Sequence, residues 1–406
     1  MKSFFERKKT QSVHRQDGKA LTCVSCGLMM ACKSPKMEPY GNFKKGIMII
    51  GEGPGREEDR ADKPWQGTSG ILLKKALKRF DIDLFEDCIS INAVRCLPAD
   101  KHGTIRTPTG YEMDCCRKYV FEYIKEYKPK TVLLIGNSAI YSVIGKRWKG
   151  SIGGIMKWRG WTIPDQDFKT WICPMFHPSY VAREDTKEMK TVWKKDLGAA
   201  IAMKDVPFLE NKEPEIEIIE DLNILYDIKK QSDPMIAFDY ETTGLKPHAP
   251  GHRIICVSIA DTPDHAYVFM MPKTRDERKP FLDILADKAI RKVAQNMKYE
   301  HAWSGQKLRV IVENWFWDTM LATHILDNRP GVTGLKFQAY VQFGVADYAS
   351  EVTGFFKSAV KSANGINRIQ ELVSTASGRD DLLKYCGYDS IYEYRLAVLQ
   401  MEKIIK

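Results

Sequence analysis

Four short apolar segments, 47–51 (IMIIG), 88–94 (CISINAV), 131–136 (TVLLIG) and 170–176 (TWICPMF), alternate with helical stretches such as 71–80 and 111–127. That spacing predicts a parallel sheet covered by helices. Around 205–233 the texture turns acidic and mixed (ENKEPEIEIIEDLNILYDIKKQSD), which reads as a linker followed by a helix. A second α/β pattern then opens with MIAFDYE (235–241) and IICVSIA (254–260), expected as neighbouring strands of one sheet, and ends in helices. There is no internal repeat and no low-complexity tract. The expected organisation is a basic arm (1–20), a first α/β domain (21–203), a linker (204–224) and a second α/β domain (225–406). Two such domains suit 406 residues at roughly 150 residues each. The apolar runs at 46–51 and 132–136 fall far short of the roughly 18 residues of a membrane span, and the charges of MKSFFERKKT break any secretory core. A cytoplasmic protein without membrane association is expected.

Cysteine usage narrows the chemistry. Eight of the ten cysteines lie in the first half, at 23, 26, 32, 88, 96, 115, 116 and 173. Without a secretory signal they do not suggest a disulfide framework, and the Cys23-x-x-Cys26 pair points instead to metal ligation. The net charge of +10 permits a polyanionic partner without establishing one.

The turn Gly51-Glu52-Gly53-Pro54-Gly55 joins an apolar strand to a helix, where backbone amides can approach a ligand. It fits neither the phosphate loop nor the dinucleotide fingerprint. Its company is more specific: GEGPGREEDRADKPWQGTSGILL (51–73), NAVRCLP (92–98), RTPTGYEMDCCRKY (106–119), LLIGNSA (133–139) and FHPSY (176–180) follow in order. Together they resemble the family 4 uracil-DNA glycosylases, the iron–sulfur type, over nearly all of 20–202. The resemblance implies a [4Fe–4S] cluster on Cys23, Cys26, Cys96 and Cys116, with Cys115 the competing choice for the last ligand and structural zinc the competing metal. Cys32 and Cys88 have no family role and are expected as buried apolar residues.

Cutting the N-glycosidic bond of deoxyuridine requires an extruded base, a reading of its edge, and stabilisation of negative charge on the departing uracil. By the resemblance, Trp65 stacks on the base, where the family usually carries Phe, so the base preference is open. Asn92 pairs with the uracil edge. His177 donates to uracil O2, Glu52 positions water or the sugar cation, Gly53 gives a backbone contact, Glu58 lines the pocket and Arg183 meets DNA phosphate.

In the second half, strand alternation puts Asp239 and Glu241 of FDYETTGL on one face, a costly pairing unless cations neutralise it. AQNMKYEHAW (294–303) offers Asn296 and Glu300 on an expected helix, WDTMLATHILD (317–327) carries Asp318, and KYCGYDSIYEYRL (384–396) carries Tyr385 and Asp389 on one helical face. This set resembles the DEDD-type 3′–5′ exonucleases, Tyr variant, as in the proofreading domain of family A DNA polymerases, with a ribonuclease H-like fold. It implies two Mg²⁺ or Mn²⁺ ions held by Asp239, Glu241 and Asp389, with Tyr385 orienting the attacking water and Asn296 contacting substrate. Glu300 stands where the pattern has Asp. One added methylene displaces its carboxylate in a site that responds to shifts of roughly 1 Å, so reduced activity or altered metal preference is expected.

Only 17 residues follow Asp389, too few for a polymerase, so the expectation is a fragment of a polymerase or a subunit serving one in trans, as in bacteriophage replication systems. The leading reading is uracil excision in front and 3′–5′ exonuclease behind. The alternatives are a non-catalytic module that recognises uracil or a modified base, and a nuclease acting on RNA.

Overall fold

The computed structural model describes residues 21–100, 102–358, 362 and 364–405, so the expected basic arm 1–20 lies outside the described residues. The chain divides into two compact units, Met1–Glu210 and Asn211–Lys406.

The first unit holds a sheet of β1 (Ile47–Gly51), β2 (Cys88–Asn92), β3 (Thr131–Ile135), β4 (Ile163–Asp165) and β5 (Thr170–Met175), in the order β2-β1-β3-β5-β4. The four strands read from the sequence pair in parallel, and the short β4, which the apolar pattern does not signal, runs antiparallel to β5. Every residue of β1 and β3 is buried, as expected of a parallel strand covered on both faces. The covering helices are α1 (Arg56–Ala61), α2 (Thr68–Leu77), α3 (Gly110–Tyr127), α4 (Asn137–Val143), α5 (Ile155–Trp158), α6 (Pro178–Glu184) and α7 (Lys187–Ala202). Thr109 and Glu112 form a capping box that fixes the start of α3.

The second unit contains β6 (Glu215–Ile218), β7 (Met235–Thr242), β8 (Ile254–Thr262), β9 (His265–Met270), β10 (Arg291–Ala294) and β11 (Trp315–Asp318), in the order β11-β10-β7-β8-β9-β6. β7 and β8 are antiparallel neighbours, while β10 and β11 join in parallel beyond β7. The segment 204–224, expected as a linker, contributes β6, which pairs with β9. The reason is visible in its side chains: Ile216 packs against the core formed by the last helix, so this stretch of alternating Glu and Ile has an apolar face to bury.

The helices of this unit are α8 (Arg275–Leu285), α9 (Lys298–Trp303), α10 (Thr319–Leu326), α11 (Leu335–Phe343), α12 (Ser350–Thr353), α13 (Ile369–Leu372) and α14 (Ala376–Ile404). α14 lies across the sheet and carries Tyr385 and Asp389 in its buried face. Gly387 permits the close approach, since a Cβ there would fall 2.8 Å from Ile216 Cγ2 and 3.0 Å from Val268 Cγ1. Among the described residues no helix is long and apolar enough to cross a membrane.

Candidate active sites

In the first unit, Glu52, Asn92 and His177 follow or end β1, β2 and β5, so they gather at the carboxyl ends of parallel strands, where open α/β sheets bind ligands. Gly51 marks the meeting point. A Cβ on it would sit 2.5 Å from Asn92 Oδ1 and 3.2 Å from Trp65 Cζ2, so only glycine leaves room for both side chains. Trp65 is held at φ 57°, and α2 starts directly against it, because a Cβ at Gly70 would collide with the Trp65 carbonyl at 2.1 Å. Its ring is buried against His177, and its Nε1 has no hydrogen-bond partner among the described residues.

Glu58, expected to line the pocket, spends its carboxylate on the backbone N–H groups of Gly55 (3.1 Å), Gln66 (2.8 Å) and Gly67 (2.9 Å). It anchors the loop that presents Trp65. Glu52 accepts from Ser138 Oγ at 2.7 Å, a partner the sequence reading did not single out although it lies inside the motif LLIGNSA. Gly53 packs beneath Val94, whose Cγ2 would lie 2.7 Å from a Cβ at that position.

His177 accepts at Nδ1 from the Ser179 backbone N–H (3.2 Å), which assigns the ring proton of the neutral form to Nε2. Burial, and then the Arg183 charge, push its pKa down to about 4, while Glu58 opposes weakly. It is thus a neutral donor. Arg183 is exposed on α6, near enough for its charge to act on the imidazole.

The thiols of Cys23, Cys26, Cys96 and Cys116 converge. Burial raises Cys96 to about 11 and Cys116 to about 12, and the neighbouring sulfurs add to both, as they do at Cys26. Cys115 instead meets the Tyr111 hydroxyl. Cys88 is buried as expected, but Cys32 is half-buried and hydrogen-bonds Cys96.

In the second unit, Asp239, Glu241 and Cys386 bring potential ligand atoms within 4.8 Å of one another. Burial, then the Asp389 carboxylate, lift Asp239 to about 7, with Lys336 opposing. Glu241 is raised by burial and by Asp239, and Asp389 adds to it. Asp389 accepts from the buried Tyr348 hydroxyl at 2.5 Å and from Lys336 Nζ at 3.5 Å, and Lys336 also reaches the Tyr385 hydroxyl at 2.5 Å. Glu300 sits inside α9, fully buried, and is raised by burial and then by Asp239. Asn296, expected on that helix, lies in the turn before it at φ 69°, and its Oδ1 has no partner among the described residues. Asp318 caps α10, accepting from the backbone N–H of Met320 and Leu321 and also from Asn296 and Met297.

Residues 38–198 match the uracil DNA glycosylase superfamily, and 216–405 match the family described as 3′–5′ exonuclease. The type-4 uracil-DNA glycosylase of Thermotoga maritima is 31% identical over 179 residues, which span 44% of this chain and 87% of that protein. The chain belongs to the type-4 uracil-DNA glycosylases. The type-4 enzyme of Pyrobaculum aerophilum is likewise 31% identical, over 39% of this chain and 78% of its own length. Among solved structures, Brucella melitensis NrnC with bound Mg²⁺ aligns over 48% of this chain and 81% of its own, at 19% identity and a TM-score of 0.34. The type-4 glycosylase unit is thus joined to a 3′–5′ exonuclease domain.

The donor set of the type-4 unit fits a multi-iron cluster. Backbone N–H groups of Leu28, Lys36 and Arg95 donate to the sulfurs of Cys26, Cys96 (3.2 Å) and Cys116, the environment that stabilises cluster thiolates. In the exonuclease domain, the buried carboxylates and their opposed charges fit hard divalent cations. Sequence reading missed Lys336, Tyr348 and Glu393. Lys336, on α11, and Tyr348, in the loop between α11 and α12, lie outside every recognised motif, and only their packing against α14 brings them in.

Proposed function

We propose that this chain is a cytoplasmic DNA-processing enzyme with two activities, uracil excision by the first unit and 3′–5′ exonucleolytic trimming by the second. The observation that carries the first activity is the meeting of Asn92 and Trp65 at Gly51, with His177 stacked on Trp65, at the strand ends. In this reading Trp65 supports the extruded base, and the Asn92 amide reads its edge. The His177 Nε2–H donates toward uracil O2 as charge develops there, its neutrality sparing a compensating proton transfer. Glu52, steadied by Ser138, orients water or faces the cation-like sugar, and Arg183 takes a DNA phosphate. Cys23, Cys26, Cys96 and Cys116 would hold a [4Fe–4S] cluster, whose contribution is to fix the loops around the pocket.

For the second activity, Asp239, Glu241 and Asp389 would hold divalent Mg²⁺ or Mn²⁺, which when bound neutralise the phosphodiester and activate water. Tyr385, held by Lys336, orients the nucleophile in the manner of the Tyr variant, and Asn296 presents its free amide oxygen to the terminal nucleotide. A polymerase in the same or another chain, as in a bacteriophage replication system, is the natural consumer of such trimming. The domain limits that go with this reading are 21–203 and 225–406, with β6 from the stretch between them added to the second sheet.

A glycosylase assay over several bases, run with wild type and Asn92→Ala, tests the first half: wild type should render uracil-DNA alkali-labile and the variant should not. Uracil-DNA binding without base release would favour a recognition module instead. A 3′-labelled primer that stays intact with Mg²⁺ or Mn²⁺ would refute the second half. Matched DNA and RNA primers assign its substrate.

A further inference from the structure

Tyr385, Asp389 and Glu393 are spaced four apart along α14 and therefore form a ladder on one helical face. Glu393 is only 1% exposed. The backbone N–H of Gln295 donates to its carboxylate, yet Oε2 has no partner among the described residues. Glu300, on α9, repeats the pattern: it is 2% exposed and its Oε2 is also unpartnered. Leaving such oxygens buried without a donor is costly unless a cation or its hydration water fills the gap.

Asp239 ties these two residues to the established carboxylates. Its charge acts on Glu241 and on both Glu300 and Glu393. Glu300 acts in turn on Glu393, as does Asp389, so the two buried glutamates stand together beside Asp239. Asp239 and Glu241 bring carboxylate oxygens within 4.8 Å of each other. Charge also balances. Five carboxylates bring five negative charges, which two divalent cations and the Lys336 ammonium cancel.

We propose that Glu393 is a fifth carboxylate of this metal centre, pairing with Glu300 to hold a second, hydrated divalent cation against Asp239, apart from the cation held by Asp239, Glu241 and Asp389. The proposal rests on the two-cation reading of the exonuclease domain. It makes the longer Glu300 a functional partner of Glu393.

The test is Mn²⁺ binding to the full chain, followed by the electron paramagnetic resonance of free Mn²⁺, with no nuclease readout. Wild type should bind two ions. The isosteric Glu393→Gln should keep the first and weaken the second ten- to a hundred-fold, the range expected when a carboxylate supporting a metal is lost. Glu300→Gln should weaken the same ion. Should Glu393→Gln fail to fold by circular dichroism, Glu393→Asp carries the test and should show a smaller loss at the same ion. Two ions bound with wild-type affinity by the folded variant would overturn the proposal. Asp239→Asn separates the two levels: it should lose both ions, and unchanged binding there would refute the two-cation reading itself.

Discussion

The indole of Trp65 and the imidazole of His177 lie nearly parallel, with ring centroids 6.0 Å apart and planes inclined by 29°. One ring supplies a flat apolar surface and the other a neutral donor; Trp65 borders Gly51, and His177 borders Gly136. Because Trp65 is also part of the buried core, its removal acts on stability as well as on the base. Trp65→Ala should cost about 3–5 kcal/mol in urea unfolding, the range for emptying an aromatic core site, and abolish uracil excision. Trp65→Phe should retain excision, because a phenyl face still supports the base. If Trp65→Ala folded and excised uracil at the wild-type rate, the stacking role would be wrong.

His177 gives a pH signature. Its pKa falls to about 4 in the folded state against an ordinary value near 6.5, so the unfolded chain binds a proton that the folded chain refuses. Stability is therefore full above about pH 6.5 and declines as the pH falls toward 4. Between pH 7 and pH 5 the loss from this residue should be on the order of 2 kcal/mol, and His177→Gln should remove that increment. Titration of the imidazole by NMR checks it directly. A midpoint near 6.5 would mean that the ring is solvated and not the buried donor described.

Much of this was legible in the residues. β1, β3 and β5 announced themselves because parallel strands buried on both faces are continuous apolar runs, and Asp239 and Glu241 because strand alternation places them together. The misses have equally physical causes. Sequence offered Glu58 as a pocket acid but not its partners: its carboxylate accepts from three backbone donors of a loop whose path only folding sets. β6 hid in a charged segment because half of its residues face solvent. Lys336 and Tyr348 reach Asp389 from elements 53 and 41 residues away, a separation over which local pattern says nothing.

Cys115 and Cys116 are adjacent, yet the helix turns them in different directions. Cys116 faces the other three sulfurs, and Cys115 meets Tyr111. Cys116→Ser should therefore abolish the broad visible absorption of the purified protein, whereas Cys115→Ser should keep it. Loss in both variants with equal iron content would place the fourth ligand elsewhere.

Lys336 is the cation that the carboxylates of the exonuclease domain meet in the protein itself. Its ammonium touches Tyr385 and Asp389 and lies 4.6 Å from the centre of the Tyr385 ring. Lys336→Met removes the charge while keeping much of the stem. With Mg²⁺ present, trimming of a 3′-labelled primer should slow at least ten-fold, because Tyr385 loses the partner that orients its hydroxyl and active sites answer steeply to small displacements. Unchanged trimming would show that Asp389 and packing hold Tyr385 without the ammonium.

Metal removal provides the last check. In the metal-free protein Asp239 is raised to about 7 by burial and by Asp389, above its unfolded value near 3.9, so the folded state holds a proton that the unfolded chain has released. The stability this confers is present below about pH 4 and drains away as the pH rises through 7. In EDTA the melting temperature of the exonuclease domain should therefore drop between pH 6 and pH 8, and Asp239→Asn should flatten the drop because the amide carries no charge to bury. Adding Mn²⁺ should reverse the slope, since cation binding favours the ionised carboxylates and strengthens as they deprotonate. A melting temperature that ignores both EDTA and pH would mean that Asp239, Glu241 and Asp389 are exposed to water and do not form the buried, cation-dependent set described.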